Sequence, residues 1–244
     1  MRKMRCAAIV LAAGQGRRMN TSVPKQFLEI DGRPLLAYTL ENFQDSPIID
    51  QIILVTGNDW VDYCQEQIVQ AYNFTKVTNI CIGGKERYDS VHAGLKACSD
   101  ADYVFIHDGA RPFVTEDIIS RGFDKVQKCE ACVAGMPSKD TVKIVDENLQ
   151  VRETPIRSLV WNVQTPQVFK GSLICAAYDK IPDGDQTDIT DDAMVVERFG
   201  NHTVSVFEGS YRNIKVTTED DLDVAKLYLK NRSDINMKKR KKNI

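Results

Sequence analysis

The strongest constraint on this chain is a set of short apolar runs that are continuous rather than alternating: Cys6–Leu11, Gln51–Thr56, Val77–Ile82 and Tyr103–His107. A strand with one face in water alternates apolar and polar residues, whereas a strand covered on both faces need not. Helical patterns lie between the runs. Leu35–Phe43 follows Gly32-Arg33-Pro34, Asp59–Ala71 follows Gly57, and Glu86–Cys98 sets Val91, Leu95 and Cys98 on one face. The alternation predicts an α/β fold, a mostly parallel sheet with helices on both faces.

After Met136 the rhythm breaks. Thr141–Val145, a turn at Asp146-Glu147-Asn148, and Gln150–Thr154 read as a polar β-hairpin with few core residues. Such a hairpin projects as an arm, over residues 138–158, that another surface must cover. The α/β rhythm then resumes: Val163–Phe169 is strand-like, Ser172–Tyr178 and Thr190–Arg198 helical, Thr203–Phe207 strand-like. A last helix starts near Thr218, whose hydroxyl can cap Asp221, and buries Leu222, Ala225 and Leu229. No repeat or linker interrupts the chain. Residues 1–230 are therefore expected to form one domain, with 231–244, which carries Lys238-Lys239-Arg240-Lys241-Lys242, as a basic flexible tail.

Of the 244 residues, 43% are hydrophobic, enough for a sizeable core. A net charge of −2 gives the body of the protein no field that would attract nucleic acid or a membrane surface. Seven cysteines, an odd number set mostly in apolar stretches, read as reduced core residues of a cytoplasmic protein. The lone Cys129-Glu130-Ala131-Cys132 has neither a second pair for zinc nor a thioredoxin-like setting. Met1–Arg5 with apolar Cys6–Ala13 imitates a secretory leader, yet cleavage near Ala13 would destroy the glycine loop that follows, so Cys6–Leu11 reads as a buried strand. No run approaches the ~20 apolar residues of a spanning helix, which predicts a soluble chain.

That glycine loop, Leu11-Ala12-Ala13-Gly14-Gln15-Gly16-Arg17-Arg18 followed by Pro24-Lys25, carries the main chemical signal. In open α/β sheets ligands bind beyond the carboxyl ends of strands. Glycines there let backbone N–H groups approach a polyphosphate without a Cβ in the way. Arg18 and Lys25 can balance the charge that builds at a five-coordinate phosphorus. A dinucleotide fingerprint would need glycine where Met19 stands, and the G-K-[ST] of a P-loop is absent.

A second signal, His107-Asp108-Gly109-Ala110-Arg111-Pro112, ends another apolar run. Asp108 can hold Mg²⁺ or a ribose hydroxyl, or cap a turn, and Arg111 can pair with a phosphate. His107 reads as a packing or hydrogen-bonding residue. In Gly83-Gly84-Lys85-Glu86-Arg87-Tyr88-Asp89-Ser90, the double glycine permits close approach to a base edge and Ser90 can hydrogen-bond it. Lys139-Asp140-Thr141, Arg157, Gln164-Thr165-Pro166-Gln167, Thr187-Asp188-Ile189-Thr190-Asp191 and Asn213-Ile214-Lys215-Val216-Thr217 are each compatible with phosphate or polyol contacts, Thr165 among them.

Together, in order, AAGQGRRM…PKQ, GG-ER–DSV, HDGARPF, KDTVK, QTPQVF, ITDDA and NIKVTT resemble the 2-C-methyl-D-erythritol 4-phosphate cytidylyltransferases over residues 6 to 229. The resemblance implies a Rossmann-like nucleotidyltransferase fold, a homodimer joined through the hairpin arm, and CTP and a polyol phosphate as partners. It implies Mg²⁺ or another divalent cation as cofactor, held by the triphosphate and, potentially, Asp108. Arg18 and Lys25 would be catalytic. Ala12, Ala13, Gly14, Gly16, Gly84, Ser90 and Asp108 would bind the nucleotide, and Arg111, Thr141, Thr165, Thr190 and Lys215 the acceptor, joined by Arg157 from the partner's arm. Position 85 departs from the family pattern: Lys85 stands where an acidic residue is usual, and lysine donates but does not accept. Two rivals are a ribitol 5-phosphate cytidylyltransferase with the same chemistry, disfavoured by the KDTVK and ITDDA segments, and a non-catalytic nucleotide-binding or scaffold protein, which would not need both Arg18 and Lys25.

Overall fold

The structure is a computed structural model; it describes residues 3–14, 23–98, 100–182 and 188–242, with side chains to residue 230. In chain order its elements are β1 (Cys6–Ala12), β2 (Glu29–Ile30), β3 (Arg33–Pro34), α1 (Leu35–Asp45), β4 (Gln51–Thr56), α2 (Val61–Tyr63) and β5 (Val77–Ile82). Then come α3 (Arg87–Ala97), β6 (Tyr103–Asp108), α4 (Glu116–Cys129), β7 (Ala131–Pro137), β8 (Ile144–Val145) and β9 (Val151–Glu153). The chain ends with β10 (Trp161–Lys170), α5 (Gly171–Tyr178), α6 (Asp192–Phe199), β11 (Ser205–Glu208) and α7 (Glu219–Lys242).

Seven strands form one sheet in the order β11-β7-β10-β6-β1-β4-β5. All neighbours are parallel except β10, which runs antiparallel to both β6 and β7. β1 is central and buried on both faces, as its unbroken apolar run requires. Ala8 and Val10 pack with Leu36, Leu40 and Phe43 of α1 and Ile118 of α4. Ala7 and Ile9 pack on the other face with Val91 and Leu95 of α3, Ile174 of α5 and Val195 of α6. The expected helical face of α3 is buried as its spacing demands.

Three differences from the sequence expectations have physical causes. The segment 116–137, to which the sequence reading assigns no element, folds as α4 and then β7, which lies between β11 and β10. Ile118, Ile119, Gly122 and Val126 form the buried face of α4. Cys132 of the C-x-x-C lies in the core, its Sγ 3.6 Å from the Gly122 carbonyl, and burial pushes its thiol well above the usual value. The expected helix at 59–71 is α-helical only over Val61–Tyr63 and widens into a π-helix over Cys64–Gln70, with bonds such as Ala71 N–H to the Glu66 carbonyl. The last helix does begin beside Thr218, whose Oγ1 accepts from Asp221 N–H, and its backbone stays helical through Lys242, beyond the domain boundary expected at 230.

The arm stands clear of the core. No residue from 138 to 164 is buried, and β8 and β9 pair only with each other. Asp146 Oδ1 closes the hairpin turn by accepting from the N–H groups of Asn148 and Gln150. The arm is more apolar than its polar reading suggests: Leu149, Ile156, Leu159 and Trp161 are all exposed.

Candidate active site

β1 and β6 are neighbours in register, with Leu11 beside Asp108, so the glycine loop and the HDGARP turn leave the sheet at the same edge. A cavity of about 550 Å³ opens there. Its lining includes Ala13, Gly14, Lys25, Gly84, Ser90, Asp108 and Lys215, seven residues expected at the site from five separate stretches of sequence. Arg18 and Gly16 lie outside the described residues. Ala12 is buried at the end of β1.

The turn from β5 to α3 forms the second wall. A Cβ on Gly83 would run into the Cβ of Ala13, so this position demands glycine for the two loops to meet; one on Gly84 would run into Asp89, so the turn into α3 demands glycine there. Ser90 Oγ accepts from Gly84 N–H at 3.2 Å and lies 3.3 Å from the Glu86 carbonyl, to which it donates. Glu86 and Asp89 form a reciprocal capping box at the start of α3. Lys85 and Glu86 both line the cavity.

Asp108 is buried among three cations. Lys215 Nζ lies 3.0 Å and Arg111 Nε 3.4 Å from Oδ2, while Arg87 Nε lies 3.6 Å from Oδ1. Burial alone would raise its carboxyl pKa; Lys215, then Arg87 and Arg111, outweigh it and hold the group well below the usual carboxylate range. Asp108 is therefore an anion at every pH the protein meets. With its cations it presents a net positive pocket wall, suited to phosphate.

Behind Asp108 the polar groups satisfy one another. The Asp108 N–H donates to Thr165 Oγ1 at 3.1 Å, and that hydroxyl lies 3.0 Å from His107 Nδ1. His107 Nε2 faces the Arg111 carbonyl at 3.1 Å, a group that can only accept, so Nε2 carries the proton and Nδ1 accepts from Thr165. Burial, above all, pushes the His107 pKa down to about 4. His107 is thus the packing and hydrogen-bonding residue expected. Thr165 departs from its expected place: its buried hydroxyl is engaged on both sides within the protein and does not line the cavity. Arg111 is held through Asp108 and through the Asn213 carbonyl, 2.9 Å from Nη1.

Thr141, Arg157 and Thr190 are exposed and do not line the cavity; the first two lie on the arm and the third two residues before α6. Arg87, which single-residue reasoning does not mark, also lines the cavity, and a set of side chains supports the site from behind. Arg87 grips Asp192 with both terminal nitrogens, Tyr178 Oη donates to Asp192 Oδ1 at 2.6 Å, and Gln167 Oε1 receives the N–H groups of Asp192 and Ala193. Asn213 Nδ2 donates to the Thr165 carbonyl at 2.7 Å. All but Tyr178 lie inside the quoted motifs, but their partners lie far away in sequence.

Among the described residues, no group of three or more His, Cys, Asp and Glu side chains could cage a metal. A divalent ion that arrives on a triphosphate needs only one or two protein carboxylates. Asp108 fits that limited role, since Oδ1 carries only the longer Arg87 contact.

A family model described as 2-C-methyl-D-erythritol 4-phosphate cytidylyltransferase matches residues 6–231. The chain is 44% identical over 224 residues to the enzyme of that name from Lachnospira eligens, covering 91% of this chain and 98% of the relative. It is 45% identical over 229 residues to the one from Alkaliphilus oremlandii, covering 93% and 96%. The crystal structure of 4-diphosphocytidyl-2C-methyl-D-erythritol synthase from Anaerococcus prevotii superposes with a TM-score of 0.80 at 36% identity, covering 93% of this chain and 96% of that one. The seven-stranded, mostly parallel sheet and its flanking helices are shared with it. The chain belongs to the 2-C-methyl-D-erythritol 4-phosphate cytidylyltransferase family.

Proposed function

We propose that this chain joins CTP and 2-C-methyl-D-erythritol 4-phosphate to give 4-diphosphocytidyl-2-C-methyl-D-erythritol and pyrophosphate, a step of non-mevalonate isoprenoid synthesis. The observation that carries the reading is one cavity holding Lys25 and Gly14 of the phosphate loop, Gly84 and Ser90 of the base loop, and Lys215 beside Asp108. An oxygen of the acceptor phosphate forms a bond to the α-phosphorus as the bond to the β-phosphate bridging oxygen breaks, and pyrophosphate leaves with that electron pair. The acceptor is already an anion at neutral pH, so the protein's task is positioning and charge stabilisation.

In this reading Lys25 and Arg18 stabilise the five-coordinate phosphorus. Ala12, Ala13, Gly14 and Gly16 hold the triphosphate, and Gly84 and Ser90 the base. Lys215, Arg111 and Thr190 face the acceptor phosphate, with Asp108 setting the cations in place. Mg²⁺, if held on the triphosphate and Asp108, would supply further charge neutralisation. Thr141 and Arg157 reach a site across a homodimer interface, a role supported by the exposed apolar side chains of the arm. A reducing, cytoplasmic setting is supported by seven cysteines that are all free. No helix among the described residues is long and apolar enough to cross a membrane.

Pyrophosphate release with saturating substrates tests the assignment. Lys25→Ala and Arg18→Ala should each lower turnover by about 100-fold or more, the scale of one well-placed electrostatic donor. Near-normal rates in both variants would remove the proposed role of the loop.

A further inference from the structure

Gln26, next to Lys25, is 3% exposed and begins no strand or long helix; it sits in a single 3₁₀ turn over Lys25–Phe27. The turn is anchored by Phe27, whose ring stacks on Trp60 at 4.6 Å and meets the edge of Tyr63 at 5.2 Å. From this fixed base the Gln26 Nε2 donates to two backbone carbonyls of the glycine loop, those of Ala12 and, at 3.1 Å, Gly14. A buried side chain spending both donors on the one loop that must receive a triphosphate is more than a packing contact.

The geometry of the peptide unit says what this does. The carbonyl of Leu11 points toward β6, where it accepts from Gly109 N–H at 2.8 Å. Successive groups on a strand point to opposite sides, so the Ala12 carbonyl turns away from β6 and Gln26 takes it. The Ala12–Ala13 peptide is trans, which sets the Ala13 N–H opposite to the Ala12 carbonyl. That N–H therefore faces the β6 side, where Asp108 lines the same cavity as Ala13. Were either carbonyl to rotate inward, the loop would offer a negative dipole to a substrate that carries about four negative charges.

We propose that Gln26 is a positioning residue for the triphosphate: by holding the Ala12 and Gly14 carbonyls it aims the Ala13 N–H at the phosphates. The inference rests on the reading that this loop holds the triphosphate of CTP. Its predicted signature is selective: the phosphate-dependent part of nucleotide affinity falls while base and acceptor binding persist. Glutamate at this position repels both carbonyls when ionised and, when protonated, can donate to only one; leucine keeps the bulk without donors.

The test compares wild type, Gln26→Glu and Gln26→Leu by calorimetric titration with CTP, by inhibition constants for cytidine, which lacks phosphates, and by the KM for the acceptor. Gln26→Glu should weaken CTP by about tenfold or more, the scale of lost hydrogen bonds to a charged group, and Gln26→Leu by less. The cytidine constant and the acceptor KM should stay within about threefold, since neither probe relies on that N–H. Equal weakening of CTP and cytidine, or melting temperatures that drop while CTP affinity holds, would overturn the proposal and leave Gln26 a structural residue. Failure of the wild-type protein to bind CTP would instead overturn the functional reading, which keeps the two outcomes apart.

Discussion

Arg87 and Asp192, 105 positions apart, face each other fork to fork, Nη1 to Oδ1 at 2.9 Å and Nη2 to Oδ2 at 2.8 Å. Asp192 is fully buried, and its Oδ1 also accepts from Tyr178 Oη. The pair ties the first turn of α3, which follows the base loop, to the first turn of α6, which follows Thr190. Arg87 also reaches Asp108 through Nε, so one guanidinium touches the carboxylates of two site walls. Lysine cannot reproduce this fork.

Removing Arg87 strands a buried carboxylate. Arg87→Ala should cost about 3–5 kcal/mol of stability, the usual penalty for breaking a buried pair from one side, measured by urea unfolding at pH 7. The double variant Arg87→Ala/Asp192→Asn should recover part of that loss, because it leaves no uncompensated charge. Additive losses would mean that the two groups do not interact as the geometry requires.

His107 makes stability depend on pH in a defined window. Its folded pKa, about 4, lies below the ordinary value of 6.5, so the unfolded chain binds the extra proton first as pH falls. Its neutral form adds stability that is fully present above pH 6.5 and is lost as pH drops toward 4. The gap between 6.5 and about 4 corresponds to a contribution on the order of 3 kcal/mol. The depressed carboxylates Asp50, Asp108, Glu130 and Asp221 lose their contribution mainly below about pH 5, so the stretch from pH 7 to 5 reports His107. Denaturant midpoints between pH 7 and 5 should fall steeply for the wild type and much less for His107→Gln. Parallel curves would contradict the buried neutral imidazole.

Lys215 should affect the acceptor more than the nucleotide. It sits beside Asp108 on the segment that follows β11, and lines the cavity from there. Lys215→Ala is expected to raise the acceptor KM by about 10- to 100-fold, as for loss of a charged hydrogen bond, with a smaller change for CTP. Steady-state kinetics with each substrate varied in turn provides the check, and a larger effect on the CTP KM would place Lys215 on the wrong substrate.

The arm carries a prediction about subunits. If Arg157 acts across a dimer, Arg157→Ala and Lys25→Ala chains are each impaired alone. In a mixed dimer, the site that keeps Lys25 receives an intact Arg157 from its partner. Mixing the two variants should therefore restore part of the activity, read by pyrophosphate release after subunit exchange. Activity no higher than the sum of the separate variants would place Arg157 in its own chain's site or outside both. Leu159→Asp, on the exposed apolar row, should shift the protein to monomers in light scattering.

The sheet was legible where burial acts on both faces at once: β1, β4 and β6 are apolar runs because helices cover them above and below, whereas β5, read the same way, is the edge strand and leaves Thr78, Asn79 and Ile82 exposed. β7 escaped because Ala131, Cys132, Ala134 and Gly135 have little β-propensity of their own; their strand is imposed by β10 and β11 on either side. The helical spacing of Ile118, Ile119, Gly122 and Val126 in α4 was available to a reader of the sequence. At the site, residues at strand ends or in glycine loops could be named singly, as Gly14, Gly84, Asp108 and Lys215 were. Pairings such as Arg87 with Asp192, or Gln26 with the Ala12 carbonyl, depend on which strands lie side by side. Thr165 shows the remaining gap. It lies where β10 shifts register between Val163 and Gln167, so alternation along the strand does not reveal that its hydroxyl turns inward to His107.

Product analysis decides the account. The protein is incubated with CTP, UTP or ATP against 2-C-methyl-D-erythritol 4-phosphate and ribitol 5-phosphate, and the nucleotide products are separated and weighed by mass spectrometry. The expected result is rapid formation of 4-diphosphocytidyl-2-C-methyl-D-erythritol with pyrophosphate from CTP, and slow or no reaction in the other combinations. Faster formation of CDP-ribitol, or equal use of UTP, would contradict the assignment of substrate to this cavity.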